Sequence, residues 1–284
     1  MSETTNEVRG IEIALLLEGI YRRYGYDFRD YARCSIQRRL EQFLEQSSCS
    51  TFSEVTSRVL RDVAFFHGLL PYFSVSFTSL FREPSVFRAL RDEILPVLRT
   101  WPYFKIWHAG CATGEEVYSL AILLREAGLL ERATIFATDI SRPALDTARE
   151  GVYSLEAIRR GGAAYQEAGG QGSLSEHYHA RYNAAVMAPA LRRKITFARH
   201  NLAMDSSFGE MQLILCRNVL IYFNQELHQR TLELFWESLD RGGFLCLGDK
   251  ESLGFSAADS LFTEVNAMAR IYKKAPPAVE RTSL

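Results

Sequence analysis

The stretch Ile106-Trp107-His108-Ala109-Gly110-Cys111-Ala112-Thr113-Gly114-Glu115-Glu116 constrains the fold of this chain more than any other. An apolar run that breaks into a small-residue loop and ends in two carboxylates reads as a buried strand, a turn and a helix start. Gly110 and Gly114 can take positive φ and let backbone approach a ligand closely. Glu115 and Glu116 put acid at a helix N-terminus, where a phosphate would otherwise dock, and so argue against a nucleotide phosphate. A second apolar run, Ala133 to Thr138, then delivers Asp139. In an open α/β sheet, an acid at the carboxyl end of a strand suits a ribose diol. Together these residues favour a cationic nucleoside such as S-adenosylmethionine. They also suit a structural reading, with Asp139 and Ser141 capping a helix and the two glutamates as ordinary first-turn acids.

Alternation continues on both sides of this motif. Strand patterns at Lys105 to His108, Thr134 to Thr138, Met211 to Cys216, Gly243 to Gly248 and Ala269 to Tyr272 are separated by helical patterns at Glu115 to Ala127, after Ser141 and Pro143, and around Glu226 to Leu239. That predicts a parallel sheet covered by helices. Between Gly161 and Gly172 lies a small-residue patch, and Tyr178 to Arg199, including Ile195-Thr196-Phe197, alternates apolar and polar positions. An inserted small β element is expected there. Residues 11 to about 70 show helical spacing only, as in Ile13, Leu16, Leu17 and Ile20 or Ile36, Leu40, Phe43 and Leu44. The expected division is an all-helical domain over 1–72, a linker over 73–84, and an α/β domain over 85–284 with its insert at about 161–199.

Composition narrows the function. Lys and Arg total 33 against 34 Asp and Glu, so no global field draws the chain to nucleic acid. The five cysteines form no CxxC pair and sit near no His at metal-ligand spacing, so free thiols and no metal are expected. No apolar run reaches the roughly 18 residues of a membrane span, and the polar N-terminus has no signal-peptide core, which predicts a cytoplasmic protein. No heptad seam demands a dimer, and a monomer is expected. One local exception stands out: between residues 22 and 39, six arginines (Arg22, Arg23, Arg29, Arg33, Arg38, Arg39) face two aspartates (Asp27, Asp30). An acidic partner could dock there, although a solvated helix face explains the same charges.

Two further segments are candidates for chemistry. Leu213 to Cys216 runs straight into Arg217-Asn218, with Tyr222 four residues on, and polar groups at a strand's carboxyl end face the ligand crevice. Arg82 lies in the step Phe81-Arg82-Glu83, where a surface ion pair with Glu83 is the plainer explanation.

With these residues assembled, the chain resembles the CheR-type chemoreceptor glutamate methyltransferases. The motifs are Tyr24-Gly25-Tyr26-Asp27-Phe28 with Tyr31, Phe81-Arg82-Glu83, Thr113-Gly114-Glu115-Glu116 with Tyr118-Ser119, Ala137-Thr138-Asp139-Ile140, and Cys216-Arg217-Asn218-Val219 with Ile221-Tyr222-Phe223. They follow in order over residues 11 to 274. The resemblance implies an α/β fold: a class I, Rossmann-like S-adenosylmethionine-dependent methyltransferase domain with an inserted small antiparallel β subdomain, preceded by an all-α N-terminal domain. It implies S-adenosylmethionine as methyl donor, S-adenosylhomocysteine as product, and the cytoplasmic helical bundle of chemoreceptors as partner. Ser76, Thr78, Arg82, Gly110, Glu115, Glu116, Asp139, Asn201, Leu202, Arg217 and Asn218 fall at cofactor positions. Arg82 and Tyr222 fall near the transferred methyl, and Arg33, Arg38 and Arg39 on the receptor-facing helix. The chain departs from the pattern at Ser76, at Gln212, and in Gly248-Asp249-Lys250-Glu251-Ser252. A non-catalytic binding module of the same fold, or a methyltransferase with another acceptor, remains open at this point.

Overall fold

The structure is a computed structural model that describes residues 3–73, 78–207, 209–254 and 260–276. The chain forms two compact units, one of Met1–Ser76, Asn201–Asp205 and Tyr222–His228, the other of Phe77–His200, Ser206–Ile221 and Gln229–Leu284.

In the first unit, helices Glu3–Tyr24, Arg33–Gln46, Phe52–Arg61 and Val63–Leu69 follow one another. Their apolar faces meet in a core of Leu16, Ile20, Leu40, Phe52, Val55, Val59, Phe66 and Leu69, all at most 1% exposed. Short helices need caps. Thr51 accepts from the Glu54 N–H, and Asp62 from the N–H groups of Ala64 and Phe65. The loop between the first two helices is pinned by Phe28, whose ring stacks on Phe73 at 4.2 Å.

The second unit carries strands β1 (Phe104–Ala109), β2 (Ala133–Asp139), β3 (Val152–Ser154), β4 (Tyr178–Arg181), β5 (Ala184–Met187), β6 (Ile195–Arg199), β7 (Met211–Cys216), β8 (Leu239–Leu247), β9 (Phe262–Asn266) and β10 (Ile271–Lys274). Seven of them form one sheet in the order β6-β2-β1-β7-β8-β10-β9. β6, β2, β1, β7 and β8 run parallel, and β10 pairs antiparallel with β8 and β9. This is the expected class I, Rossmann-like arrangement. The chain leaves β1 toward β2 on one side and reaches β7 on the other, so the crevice opens at the carboxyl ends of β1 and β7. Among the described residues no helix is long and apolar enough to cross a membrane.

Three elements differ from the sequence reading. Ile195 to Phe197, assigned to the insert at about 161–199, belongs to β6, which pairs parallel with β2 at the edge of the main sheet. An edge strand covered on one face alternates like an antiparallel strand, so period alone did not separate them. The antiparallel insert is instead β3-β5-β4, beginning at Val152. Gly161 and Gly162, given to the small-residue patch of the expected insert, lie in the helix Leu155–Glu167; a Cβ on Gly161 would stand 2.7 Å from Leu80 Cβ, so the glycine serves a close approach. Finally, the expected single closing strand is a hairpin of β9 and β10; β9 is largely exposed and lacks an apolar run, so the pattern showed only β10.

Candidate functional site

The loop after β1 is built from left-handed backbone: Gly110, Ala112 and Gly114 have φ of 74°, 48° and 90°. Its N–H groups have definite acceptors. Those of Gly110 and Cys111 donate to the Thr138 carbonyl at 2.8 and 2.9 Å, and that of Ala112 to Asp139 Oδ2 at 2.8 Å. Asp139 Oδ1 accepts from Ser141 N–H at 2.8 Å. Asp139 thus ties the loop to the end of β2 while its two oxygens retain acceptor capacity for a ligand. Burial raises its carboxyl, and the N–H donors of Ser141, Ala112 and Ile140 oppose that. The side of Gly110 that would carry a Cβ is filled by Val219, whose Cγ2 would lie 2.4 Å from it. Gly110→Ala should therefore cost about 1–3 kcal/mol. Chemical denaturation measures the loss, and Val219→Ala should recover the steric part but not the part due to φ.

Beneath the loop runs a buried ionic chain. His108 Nε2 lies 3.0 Å from Glu116 Oε1, Arg217 donates to Glu116 Oε2 at 2.7 Å, and the same guanidinium donates to Glu83 Oε2 at 2.6 Å. The Arg217 side chain is 0% exposed. Burial alone would raise the Glu116 carboxyl; the Arg217 charge and the His108 hydrogen bond outweigh it and hold the group at about 2. Because that value is depressed, the pair stabilises the fold fully above the ordinary value of 4.5, and the contribution drains away as pH falls through about 2. Thermal melts of wild type and Glu116→Gln should differ most near neutrality and approach each other between those two pH values. Glu115 points elsewhere: it accepts from Thr113 Oγ1 at 2.6 Å, and burial raises its carboxyl.

Arg82 sits between two non-glycine residues in left-handed backbone, Phe81 (φ 53°) and Glu83 (φ 57°). Each such residue costs of order 1–3 kcal/mol and persists only where its surroundings over-determine it. Here they do. Phe81 N–H donates to Ser119 Oγ at 2.8 Å, the Phe81 ring packs against Phe87 and Tyr165, and Arg217 donates to the Arg82 carbonyl at 3.2 and 3.3 Å. The Arg82 side chain itself is 35% exposed, with Nε 3.7 Å from Glu83 Oε1.

Asn218, also left-handed at φ 61°, is fixed by a residue that sequence reasoning left without a role. The buried Glu251 carboxylate accepts from the N–H groups of Gly248, Asn218, Val219 and Ile221 at 2.7 to 3.3 Å. Burial raises this carboxyl and the four N–H groups oppose it. Glu83 and His108 were missed as well; Glu83 and Glu251 work through partners distant in sequence, and the eight-residue step from His108 to Glu116 runs from a strand across a loop into a helix, where no period marks it. Thr78 is half-buried, and Ser76 lies outside the described residues.

In the first unit, Asn201 and Leu202 are buried; Asn201 Oδ1 accepts from Ala203 N–H at 3.0 Å, and its Nδ2 has no hydrogen-bond partner among the described residues. The Tyr222 carbonyl accepts from Ala32 N–H at 2.8 Å, and the Arg39 guanidinium lies 4.3 Å from the centre of the Tyr222 ring. Arg39 also donates to the Phe73 carbonyl. Of the three basic residues assigned to a partner, Arg39 is thus engaged within its own unit, while Arg33 and Arg38 are exposed.

The donor set of the second unit fits a nucleoside. Asp139 offers acceptors at a strand end, Glu115 and Glu116 put acid rather than a phosphate site at the helix start, and Arg217 Nε is buried with no hydrogen-bond partner among the described residues. Comparisons with known proteins agree. Residues 11–73 match the family described as CheR methyltransferase, all-alpha domain, and residues 76–270 match CheR methyltransferase, SAM binding domain. A Pseudomonas putida chain named Cher3 is 50% identical over 271 residues, covering 95% of this chain and 99% of that one. A chemotaxis protein methyltransferase of Listeria monocytogenes is 30% identical over 243 residues, covering 82% and 87%. The solved N-methyltransferase NodS of Bradyrhizobium japonicum, in complex with S-adenosylhomocysteine, is 13% identical with a TM-score of 0.41, covering 70% of this chain and 89% of that one. The chain belongs to the CheR methyltransferase family, an all-alpha domain followed by one that binds S-adenosylmethionine.

Proposed function

We propose that this protein transfers a methyl group from S-adenosylmethionine to glutamate side chains of chemoreceptors in the cytoplasm, forming methyl esters. The observation that supports this reading is the over-determined backbone of Arg82: two residues in left-handed conformation flank it and the buried Arg217, just past the carboxyl end of β7, donates to its carbonyl, while its own side chain stays 35% exposed. A guanidinium so placed suits a carboxylate acceptor. When bound, S-adenosylmethionine supplies an electrophilic methyl on a sulfonium.

A glutamate side chain is already ionised at neutral pH, with a reference pKa near 4.3, and needs no strong base to become a nucleophile. The protein's task is alignment, which can supply roughly 7 to 11 kcal/mol of the barrier. Arg82 orients the acceptor carboxylate. Asp139 takes the ribose hydroxyls on its remaining acceptor capacity, and Glu116, locked in its ion pairs, sets the floor beside it without abstracting a proton. Tyr222 walls the methyl. Ser76, Thr78, Gly110, Glu115, Asn201, Leu202, Arg217 and Asn218 complete the cofactor's surroundings. The reaction neutralises charge, so a site drier than water favours it. Arg33 and Arg38 meet the helical bundle of the receptor, with Arg39 supporting Tyr222. The protein acts without metal or nucleic acid, and as a monomer.

Radiolabelled methyl donor with purified cytoplasmic fragments of chemoreceptors tests the proposal, with mass spectrometry of receptor peptides to place the methyl. Base-labile label on glutamate is the expected result. Absence of label from the receptor despite measured cofactor binding would overturn it and leave a binding module or another acceptor.

A further inference from the structure

Arg82 has a neighbour that limits what it can do. Glu83 Oε1 lies 3.7 Å from Arg82 Nε, too far for a hydrogen bond, while Glu83 Oε2 accepts from Arg217 at 2.6 Å. One carboxylate therefore serves two guanidinium groups of opposite exposure, Arg217 fully buried and Arg82 35% exposed. In extended backbone adjacent side chains point to opposite faces. At Glu83, φ 57° and ψ 71° depart from that arrangement, and the carboxylate comes back toward its neighbour.

We propose that Glu83 is a positioning residue for Arg82. Its carboxylate holds the guanidinium until the acceptor carboxylate arrives and shares it thereafter, so that Arg82 steers the acceptor without clamping it. This rests on the reading that Arg82 meets the acceptor carboxylate. A guanidinium without a counter-ion grips a carboxylate through two parallel N–H···O bonds, which draws charge from the oxygen that must attack the methyl. Glu83 is anchored by Arg217 and cannot leave. Its Oε1 stands at a distance from Arg82 that an incoming oxygen can displace.

Steady-state kinetics of the full chain, with the receptor fragment that accepts methyl groups, reads this directly. Glu83→Gln should lower the receptor KM roughly two- to fivefold, the span of a half-exposed ion pair, and lower kcat as well. Affinity for S-adenosylhomocysteine, measured by calorimetry, should stay within about twofold on the same scale. In an Arg82→Gln background the same substitution should leave the receptor KM unmoved, since its effect passes through Arg82. A KM that is unchanged or raised, or an equal effect in both backgrounds, would overturn the proposal and leave Glu83 as a prop for Arg217. If Arg82→Gln alone behaves as wild type, the assignment of Arg82 fails, a separate result. Should Glu83→Gln not fold, Glu83→Asp keeps the charge but draws it away from Arg82, and the same fall in KM is expected. N-acetylglutamate N-methylamide, titrated onto the protein loaded with S-adenosylhomocysteine and followed by NMR, repeats the comparison without a receptor. Tighter binding to Glu83→Gln supports the proposal, and equal or weaker binding overturns it.

Discussion

Arg217→Met should lower the unfolding free energy by about 3–5 kcal/mol, the cost of leaving a buried ion pair with one partner. Met keeps much of the volume, so the loss is one of charge. Glu116, 4% exposed, would lose the cation that holds its carboxyl at about 2, and the Arg82 carbonyl would lose a donor. Denaturant titration by circular dichroism measures the change, and the thermal midpoint should drop by roughly 10 °C for a domain of this size. Adding Glu116→Gln to Arg217→Met should recover part of the loss, because the uncompensated charge is gone. A double variant that is the sum of its parts would show that the two side chains do not stabilise each other.

Arg82→Ala should reduce turnover by roughly 10²–10³-fold, the usual cost of removing one oriented charged donor from a reacting group. It should leave the dissociation constant of S-adenosylhomocysteine nearly unchanged. Asp139→Asn should do the reverse, weakening S-adenosylhomocysteine roughly tenfold or more, on the scale of a charge-assisted hydrogen bond. Asn is chosen over Ala because the Asp139 carboxylate also accepts from Ala112 and Ser141, and truncation would orphan both N–H groups. Calorimetric titration beside the methyl-transfer assay separates the two; equal binding losses in the two variants would reject both assignments.

The local pattern carried much of this molecule. The strand over Lys105 to His108 appears as Phe104–Ala109, the helix after Gly114 begins at Glu115, and Asp139 closes β2 as its position in the apolar run implied. Those features depend on residues within one or two turns of each other, so period and glycine placement suffice to read them. The arginine-rich stretch was equally visible. Its division into exposed Arg33 and Arg38 and an Arg39 stacked on Tyr222 was not, since Tyr222 is remote in the chain.

What lay beyond the sequence pattern is the partnership of distant residues. Glu116 and Arg217 stand 101 positions apart, Glu83 and Arg217 134, and Glu251 fastens backbone 30 to 33 positions upstream of it. Each was legible as a charged residue, and none announced its partner. The reversal of strand order between β1 and β7 brings their carboxyl ends together, and burial then forces each charge to find its opposite. Composition and spacing thus set which elements form and where acid and base lie along them. Which acid meets which base, and that Arg82 is held out while Arg217 is sealed in, follows from how the sheet folds those elements together.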